Sequence, residues 1–228
     1  MRIHKISLPL SNAFLICDRK NILVDAGCQN DFPQLARQLG ERGVKPESLA
    51  AVVLTHIHFD HCGCAAELRK RGVPVVACAE SKKALQEGRQ EASALHSLAP
   101  KLLLSTLGNL IPRAFPAVEV DVPVSGQMEL SEFGVEGRIE LTPGHTQNAL
   151  SVVLADGSAC VGDLFMGGVL GLPPAWMPAQ HPATLDKPRC AQEIIRLRRA
   201  GVARFHVGHG DLLEASFVDR WLEAQASH

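Results

Sequence analysis

The sequence has no excess of charge of either sign. Its 228 residues include 23 Lys and Arg against 24 Asp and Glu, which gives a formal net charge of −1. A protein that binds nucleic acid usually carries a basic patch and a surplus of Lys and Arg. The composition therefore argues against a nucleic-acid partner and favours a small-molecule substrate.

The sequence also has no apolar run long enough to cross a bilayer. Its first residues, Met1–Lys5, lack the long apolar stretch and small-residue cleavage site of a signal peptide. The seven cysteines are odd in number and lie among apolar or small residues, which is typical of reduced thiols rather than of a disulfide framework. We therefore expect a cytoplasmic protein with no stable membrane insertion.

The length favours a single domain that covers residues 1–228. Strand-like and helical patterns are mixed along it without strict βαβ alternation, which predicts a layered α/β fold. The patterns predict a hairpin over Phe14–Val24, a helix over Phe32–Arg42 capped by Asp31, a strand over Ala117–Val122, a helix over Lys187–Ala200 capped by Asp186, and a last helix over Leu212–Gln225.

The segment Glu91–Pro116 is unusually rich in leucine and is interrupted by prolines. We interpret it as a helix packed on the core. The alternatives are a lid or a homodimer surface near the site, or a helix that lies on a membrane surface.

A dense polar cluster, Thr-His-Ile-His-Phe-Asp-His, directly follows the apolar run Ala51–Leu54. Its polar side chains therefore lie just past the end of a predicted strand. Imidazole and carboxylate are the ligands that a catalytic zinc or iron takes. Chance would give this spacing in roughly one sequence in a thousand of this length. The candidate ligands here are His56, His58, Asp60 and His61, and the alternative is a solvated polar turn.

Three further polar residues, His145, Asp163 and His209, follow strand-like runs, and each has a glycine beside it. Glycine gives the backbone freedom to bring a side chain close to a metal ion. Each residue alone would more often be an ordinary polar residue, but together with the first cluster they favour a shared site. Seven ligands are too many for one zinc, which takes about four, and they suit two ions with a carboxylate between them. The residues alone do not pair ligands with ions.

With Asp25 in an early Asp-x-Gly motif, these residues make the chain resemble the metallo-β-lactamase fold superfamily, over the span Asp25–His209. The resemblance implies an α/β fold, a four-layer αββα sandwich of two mixed β-sheets flanked by helices, with the site at one edge of the sheets. It also implies two divalent metal ions, for which we expect zinc, with iron or manganese as alternatives.

The resemblance assigns a place to each candidate ligand. Asp25 would be buried and would orient a ligating imidazole. The first metal would be held by His56, His58 and His145, and the second by Asp60, His61 and His209, with Asp163 bridging the two.

Several differences between this chain and known members indicate which branch of the superfamily it resembles. His58 stands where oxygen-reducing flavo-diiron members carry Glu, and the chain has no tyrosine, which acyl-homoserine lactonases and longer glyoxalase II enzymes use near the substrate. The stretch after His209 is short, so we expect a glyoxalase II-like domain without the C-terminal glutathione-binding domain. Gly63 and Cys64 replace the usual Gly-Gly, and we interpret Cys64 as a small residue at a helix start rather than as a ligand.

The leading hypothesis is a metal-dependent hydrolase. A hydroxide bound between two metal ions would attack a thioester, ester, lactone or amide carbonyl, and Asp60 would orient the water. One alternative is an oxidoreductase resembling the persulfide dioxygenases, in which a single iron would be held by His56, His145 and Asp163. A second alternative is a non-catalytic relative that binds a ligand or partner.

The loop after Asp163 supplies the candidate substrate pocket. Its apolar residues Met166, Trp176 and Met177 could line a pocket for an acyl or aromatic group, and the alternative is ordinary packing of a proline-rich loop. In this loop we expect His181 to be exposed, with a pocket position as the alternative. We expect His206, on a later strand, to lie away from the metals.

Overall fold

The computed structural model describes residues 1–94, 114–168 and 174–226. Six strands form a first sheet whose spatial order is the order of the chain, antiparallel between the first three strands and parallel between the last four. These strands are β1 (Arg2–Ser7), β2 (Asn12–Cys17), β3 (Asn21–Val24), β4 (Ala51–Val53), β5 (Val75–Cys78) and β6 (Val122–Val124).

A second sheet is built from the later part of the chain. Its spatial order is β14 (Leu213–Glu214), β13 (Arg204–Val207), β10 (Ser158–Gly162), β9 (Leu150–Leu154), β8 (Gly137–Leu141) and β7 (Gln127–Glu129). Only β10 and β13 run parallel, and the other pairs are antiparallel. A separate two-stranded pair joins β11 (Met166–Gly167) to β12 (Pro178–Ala179).

Helices cover the outer faces of the two sheets. Along the chain they are α1 (Phe32–Gly40), α2 (Phe59–Cys62), α3 (Ala65–Lys70), α4 (Lys82–Gln86), α5 (Lys187–Arg199) and α6 (Ala215–Ala226). No helix in the described ranges is both long and apolar enough to span a membrane.

Three apolar clusters show the layers of the fold. Between the sheets, side chains of β2, β3 and β4 such as Ile22 meet side chains of β8, β9 and β10 such as Val152. The opposite face of the first sheet packs on α1 and α3, and that of the second sheet packs on α5 and α6. Alternating side chains of each strand face opposite sides, so every sheet buries both faces. The predicted four-layer αββα sandwich of two mixed sheets is confirmed.

Most predicted elements are found with small shifts at their ends. The hairpin of β2 and β3 is present, and Asp186 caps α5 by accepting a hydrogen bond from the Arg189 N–H at 2.9 Å. Asp31 occupies the N-cap position of α1, as predicted, but its side chain makes no capping hydrogen bond, because its carboxylate accepts instead from the Cys28 N–H at 2.8 Å. The last helix begins at Ala215, because Leu213 pairs with Phe205 in the second sheet.

The predicted strand over Ala117–Val122 is wrong for all but its last residue. Val118 and Val120 are buried on the helix-covered face of the first sheet. The Val118 N–H donates to Leu85 of α4 rather than to a neighbouring strand, and pairing with β5 begins only at Val122. Alternating apolar residues therefore reflect packing under a helix here. Most of the segment Glu91–Pro116, namely residues 95–113, lies outside the described residues. The interpretation of this segment as a core-packed helix, and the lid, homodimer and membrane-surface alternatives, therefore stay predictions.

His206 on β13 provides a test of how a histidine outside the cluster affects stability. Its ring meets the Phe14 ring edge-on, with centroids 5.2 Å apart. Burial, and then the nearby Arg204 charge, lower its pKa from 6.5 to about 4. The unfolded chain therefore binds a proton more readily than the folded chain does, so the stability linked to His206 falls as the pH drops from 6.5 towards 4.

We expect His206→Phe, which keeps the ring contact, to remove this pH dependence. Relative to its own value at pH 7, the wild type should lose about 2–3 kcal/mol more free energy of unfolding than the variant does at pH 4. Urea unfolding at pH 7, 5.5 and 4 measures the difference. Parallel pH profiles for the two proteins would contradict the assignment.

Candidate metal centre

The first cluster of candidate ligands occupies the turn between β4 and α2. His56, His58 and His61 are buried there, whereas Asp60 is partly exposed. Asp25 anchors the start of this turn, because its carboxylate accepts hydrogen bonds from the Thr55 N–H at 2.8 Å and from the Thr55 hydroxyl. The end of the strand is thereby fixed where the histidines leave it.

The second sheet brings its candidate ligands to the same edge. His145 follows β8, Asp163 follows β10 and His209 follows β13. Backbone hydrogen bonds join the two sheets beside them, from the Leu150 N–H to the Thr55 carbonyl and from the Asn12 N–H to the Gly208 carbonyl, both at 2.7 Å. The centre is therefore assembled from both sheets.

Asp163 lies in the middle of the cluster. Its Oδ2 atom is 3.2 Å from Nε2 of His209, 3.6 Å from Nε2 of His145 and 3.8 Å from Nε2 of His56. Its Oδ1 atom is 3.5 Å from Nε2 of His61. One carboxylate thus faces imidazoles on both sides of the centre.

The remaining distances define two groups around Asp163. Nε2 of His145 lies 3.0 Å from Nδ1 of His58, and the rings of His56 and His58 meet edge-on with centroids 4.6 Å apart. In each group the potential ligand atoms lie within 4.8 Å of one another; two such groups are His56, His58 and His145, and Asp60, His61 and His209. Asp163 forms another such group with His56 and His61, one histidine from each triad. The seven side chains singled out from the sequence are thus brought together, in the two triads that the resemblance implies.

The donor atoms suit metal ions. Buried polar side-chain atoms ordinarily have a hydrogen-bond partner. Among the described residues, the exceptions include the Nε2 atoms of His56, His58 and His61, Nδ1 of His145 and Oδ1 of Asp163. So many unpartnered imidazole nitrogens around one carboxylate are costly to bury unless a cation binds them. These residues therefore fit the metal ions that the fold implies.

Asp25 sets the orientation of His61. Its Oδ2 atom lies 2.9 Å from Nδ1 of His61, and because a carboxylate oxygen can only accept, Nδ1 carries the proton and donates the hydrogen bond. The Nε2 lone pair of His61 then faces the centre, the arrangement found for metal-ligating histidines. Asp25 holds this position at φ 60°, a left-handed conformation that no other non-glycine residue of the described ranges adopts.

Burial and neighbouring charges shift the pKa values of the histidines in the cluster in opposite directions. Burial, reinforced by neighbouring imidazoles, lowers the pKa of His56 and of His145 well below 6.5, so both rings are neutral at pH 7. Burial also acts to lower the pKa of His61, but the carboxylates of Asp163, Asp60 and Asp25 outweigh it and raise the pKa. The neutral imidazoles meet the requirement that a histidine ligand be deprotonated.

No cysteine belongs to the candidate metal groups of the described residues. Cys64 occupies the position before α3, and its Sγ donates to the Cys28 carbonyl at 2.9 Å. Burial raises the pKa of the Cys64 thiol to about 12. Cys64 is therefore a buried, neutral residue at a helix start, as predicted.

The predicted pocket residues have different surroundings. Met166 is 1% exposed in β11. Trp176 is 48% exposed and packs against Phe217 of α6, with ring centroids 5.0 Å apart, and Met177 is 47% exposed. Residues 169–173 of this loop lie outside the described residues, so the pocket stays a prediction.

The expectation that His181 is exposed is wrong. The side chain is buried, and its Nε2 atom lies 3.4 Å from Oδ2 of Asp163. Together with His145 and Asp163 it forms a further group of potential ligands within 4.8 Å of one another. The sequence gives one indication that His181 lies near Asp163, its place in the loop that follows Asp163, and no motif identifies it as a ligand.

The chain is similar in sequence to proteins named as metallo-hydrolases. It is 30% identical over 161 residues to a probable metallo-hydrolase of Methanocaldococcus jannaschii, covering 70% of this chain and 69% of that one. It is 28% identical over 159 residues to a probable metallo-hydrolase of Bacillus subtilis, covering 68% of this chain and 66% of that one.

The fold is also that of a solved relative. A metallo-beta-lactamase family protein from Thermus thermophilus superposes with a TM-score of 0.70 at 19% identity, covering 99% of this chain and 79% of that one. The family model described as "Metallo-beta-lactamase superfamily" matches residues 8–214. With its two-sheet sandwich and its histidine–aspartate cluster at the sheet edge, the chain belongs to the metallo-beta-lactamase superfamily.

Proposed function

We propose that this chain is a hydrolase that uses two metal ions to cleave a thioester, ester, lactone or amide of a small molecule. Its family and its relatives support a metal-dependent hydrolase in general terms. The observation that carries the finer proposal is the pair of triads around Asp163, because seven donor groups exceed what one zinc takes. When bound, two such ions lower the pKa of water to about 7 and so supply a hydroxide nucleophile at neutral pH.

The side chains around the ions have separate roles in this proposal. Asp163, 3% exposed and flanked by imidazoles, would bridge the two ions and keep them close together. Asp60 is the more accessible carboxylate, with its Oδ2 atom 3.6 Å from Nε2 of His209. Asp60 would orient the attacking hydroxide, accept its proton as the bond to the carbonyl carbon forms, and pass that proton to the leaving sulfur, oxygen or nitrogen as the scissile bond breaks.

A hydrogen bond from the Ser11 hydroxyl to the backbone carbonyl of Asp60 fixes the main chain at this residue. Asp25 would not contact a metal ion itself. Its hydrogen bond with Nδ1 of His61 keeps the Nε2 atom of that ring turned towards the centre. The chain thus has no need of a serine or cysteine nucleophile.

Metal analysis of the purified protein followed by a substrate panel tests the proposal. We expect about two equivalents of zinc, iron or manganese per chain, and turnover of at least one thioester, ester, lactone or amide. Dialysis against a chelator should abolish this turnover, and addition of the metal should restore it. A single iron per chain with oxygen-dependent persulfide oxidation would overturn the hydrolase in favour of the oxidoreductase alternative.

A further inference from the structure

His181 lies against the metal centre although the seven-residue ligand set does not include it. Its side chain is buried, and its ring meets the His145 ring edge-on with centroids 4.7 Å apart. Its Nε2 atom is 3.4 Å from Oδ2 of Asp163. We propose that His181 is a further metal ligand, which shares a divalent ion with His145 and Asp163. The inference rests on the metal centre of the proposed function but not on its substrate.

The distances between donor atoms favour shared coordination over a simple hydrogen bond. Ligands bound at about 2.0–2.1 Å from the same zinc lie at most about 4.2 Å from one another, and roughly 3.3–3.4 Å apart at tetrahedral angles. Nε2 of His181 and Nε2 of His145 lie 3.4 Å and 3.6 Å from the same oxygen of Asp163. A charge-assisted N–H···O hydrogen bond is shorter, about 2.7–2.9 Å. The two distances are longer than such a hydrogen bond and short enough for the three atoms to share one cation.

The other nitrogen of the His181 ring has the partner that a ligating histidine needs. Metal-bound imidazoles usually donate their second ring N–H to a carbonyl or carboxylate, which fixes the tautomer. Nδ1 of His181 lies 3.3 Å from the Ala183 carbonyl oxygen and 3.2 Å from the Ala183 nitrogen. The Ala183 carbonyl can accept a hydrogen bond from Nδ1–H when Nε2 binds a cation, and the Ala183 N–H can donate to Nδ1 when Nε2 does not.

The chain holds His181 in this place by short-range structure. β12, which ends two residues before His181, pairs with β11, which begins three residues after Asp163. The Thr184 hydroxyl donates to the His181 carbonyl at 2.8 Å, which closes the turn that follows. His181 thus follows a strand end, as the other candidate ligands do.

Zinc affinity, measured by competition with a chromophoric chelator, tests the inference. We expect His181→Phe, which keeps the ring volume but has no nitrogen, to weaken the affinity by more than about 100-fold, because loss of even an outlying partner of a ligand costs 10–100-fold. His206→Phe is the matched control, since it makes the same change at a partly buried histidine outside the candidate groups, and its affinity should be unchanged.

Two further measurements separate coordination from packing. In His181→Ala, added imidazole should restore the affinity, and the visible spectrum of the cobalt-substituted protein should change when His181 is lost and recover with imidazole. Unchanged affinity and cobalt spectrum in both His181 variants would overturn the inference, as would lost affinity that imidazole does not restore. A wild type that binds zinc but hydrolyses nothing would contradict the proposed function alone.

Discussion

Replacement of Asp163 by Asn is expected to reduce kcat/KM by at least about 1,000-fold and to lower the bound metal from two equivalents to one or none. Asn has the shape of Asp, but its amide has one oxygen fewer and no charge with which to bridge two cations. In the wild type, burial acts to raise the pKa of Asp163, but the surrounding imidazoles of His209, His61 and His181 outweigh it and hold that pKa well below its ordinary value. The negative charge on this carboxylate is therefore a fixed part of the centre.

Asp156→Asn is the matched control for this prediction. Asp156 lies just before β10, at the opposite end from Asp163, where its carboxylate bonds to the Ser158 N–H at 2.9 Å and to Arg204 at the surface. Elemental analysis and steady-state kinetics on both variants give the comparison. Full activity in Asp163→Asn, with two equivalents of metal retained, would show that Asp163 does not bridge.

Replacement of Gly208 by Ala is expected to lower activity by about 100-fold or more through a purely steric effect. A Cβ atom at this position would lie 2.2 Å from Oδ1 of Asp163 and 2.6 Å from Cε1 of His61. The backbone cannot retreat easily, because the Gly208 N–H donates to the Gly162 carbonyl at 2.8 Å and its own carbonyl accepts from the Asn12 N–H at 2.7 Å. The carboxylate and the imidazole must therefore move instead.

Gly40→Ala serves as the control, because a Cβ atom at the end of α1 would meet nothing within 4 Å. Metal affinity and kcat/KM should fall in Gly208→Ala and stay at the wild-type level in Gly40→Ala. Thermal unfolding of the metal-free proteins separates displaced ligands from a general loss of stability. Wild-type affinity in Gly208→Ala would mean that the centre tolerates the added methyl group.

The sequence predicted much of the centre because its residues share a local rule. His56, His145, Asp163 and His209 each follow a strand, and strand ends are where a sheet edge collects side chains. Asp25 was expected to be buried and to orient an imidazole, and the structure places it 1% exposed beside His61. The sandwich itself came from the resemblance, since irregularly mixed strands and helices predict only a layered fold.

His181 could not be found in the same way. The strands that position it, β11 and β12, are two residues long and carry no periodic pattern. Its approach to Asp163 depends on their pairing across the loop, a contact that spacing along the chain does not encode. The misplaced strand over Ala117–Val122 has a related cause, because alternation records which side chains are buried and not whether a strand or a helix covers them.

The origin of the candidate ligands in two different sheets has a consequence for the lifetime of the protein. His56–His61 come from the first sheet, whereas His145, Asp163 and His209 come from the second. A cation held by both would cross-link the halves of the sandwich and stabilise the folded chain by about 2.7 kcal/mol at a free concentration 100 times its Kd. Resistance to proteases would then rise and fall with metal supply. The amount of the protein, and not only its activity, would thus depend on available metal.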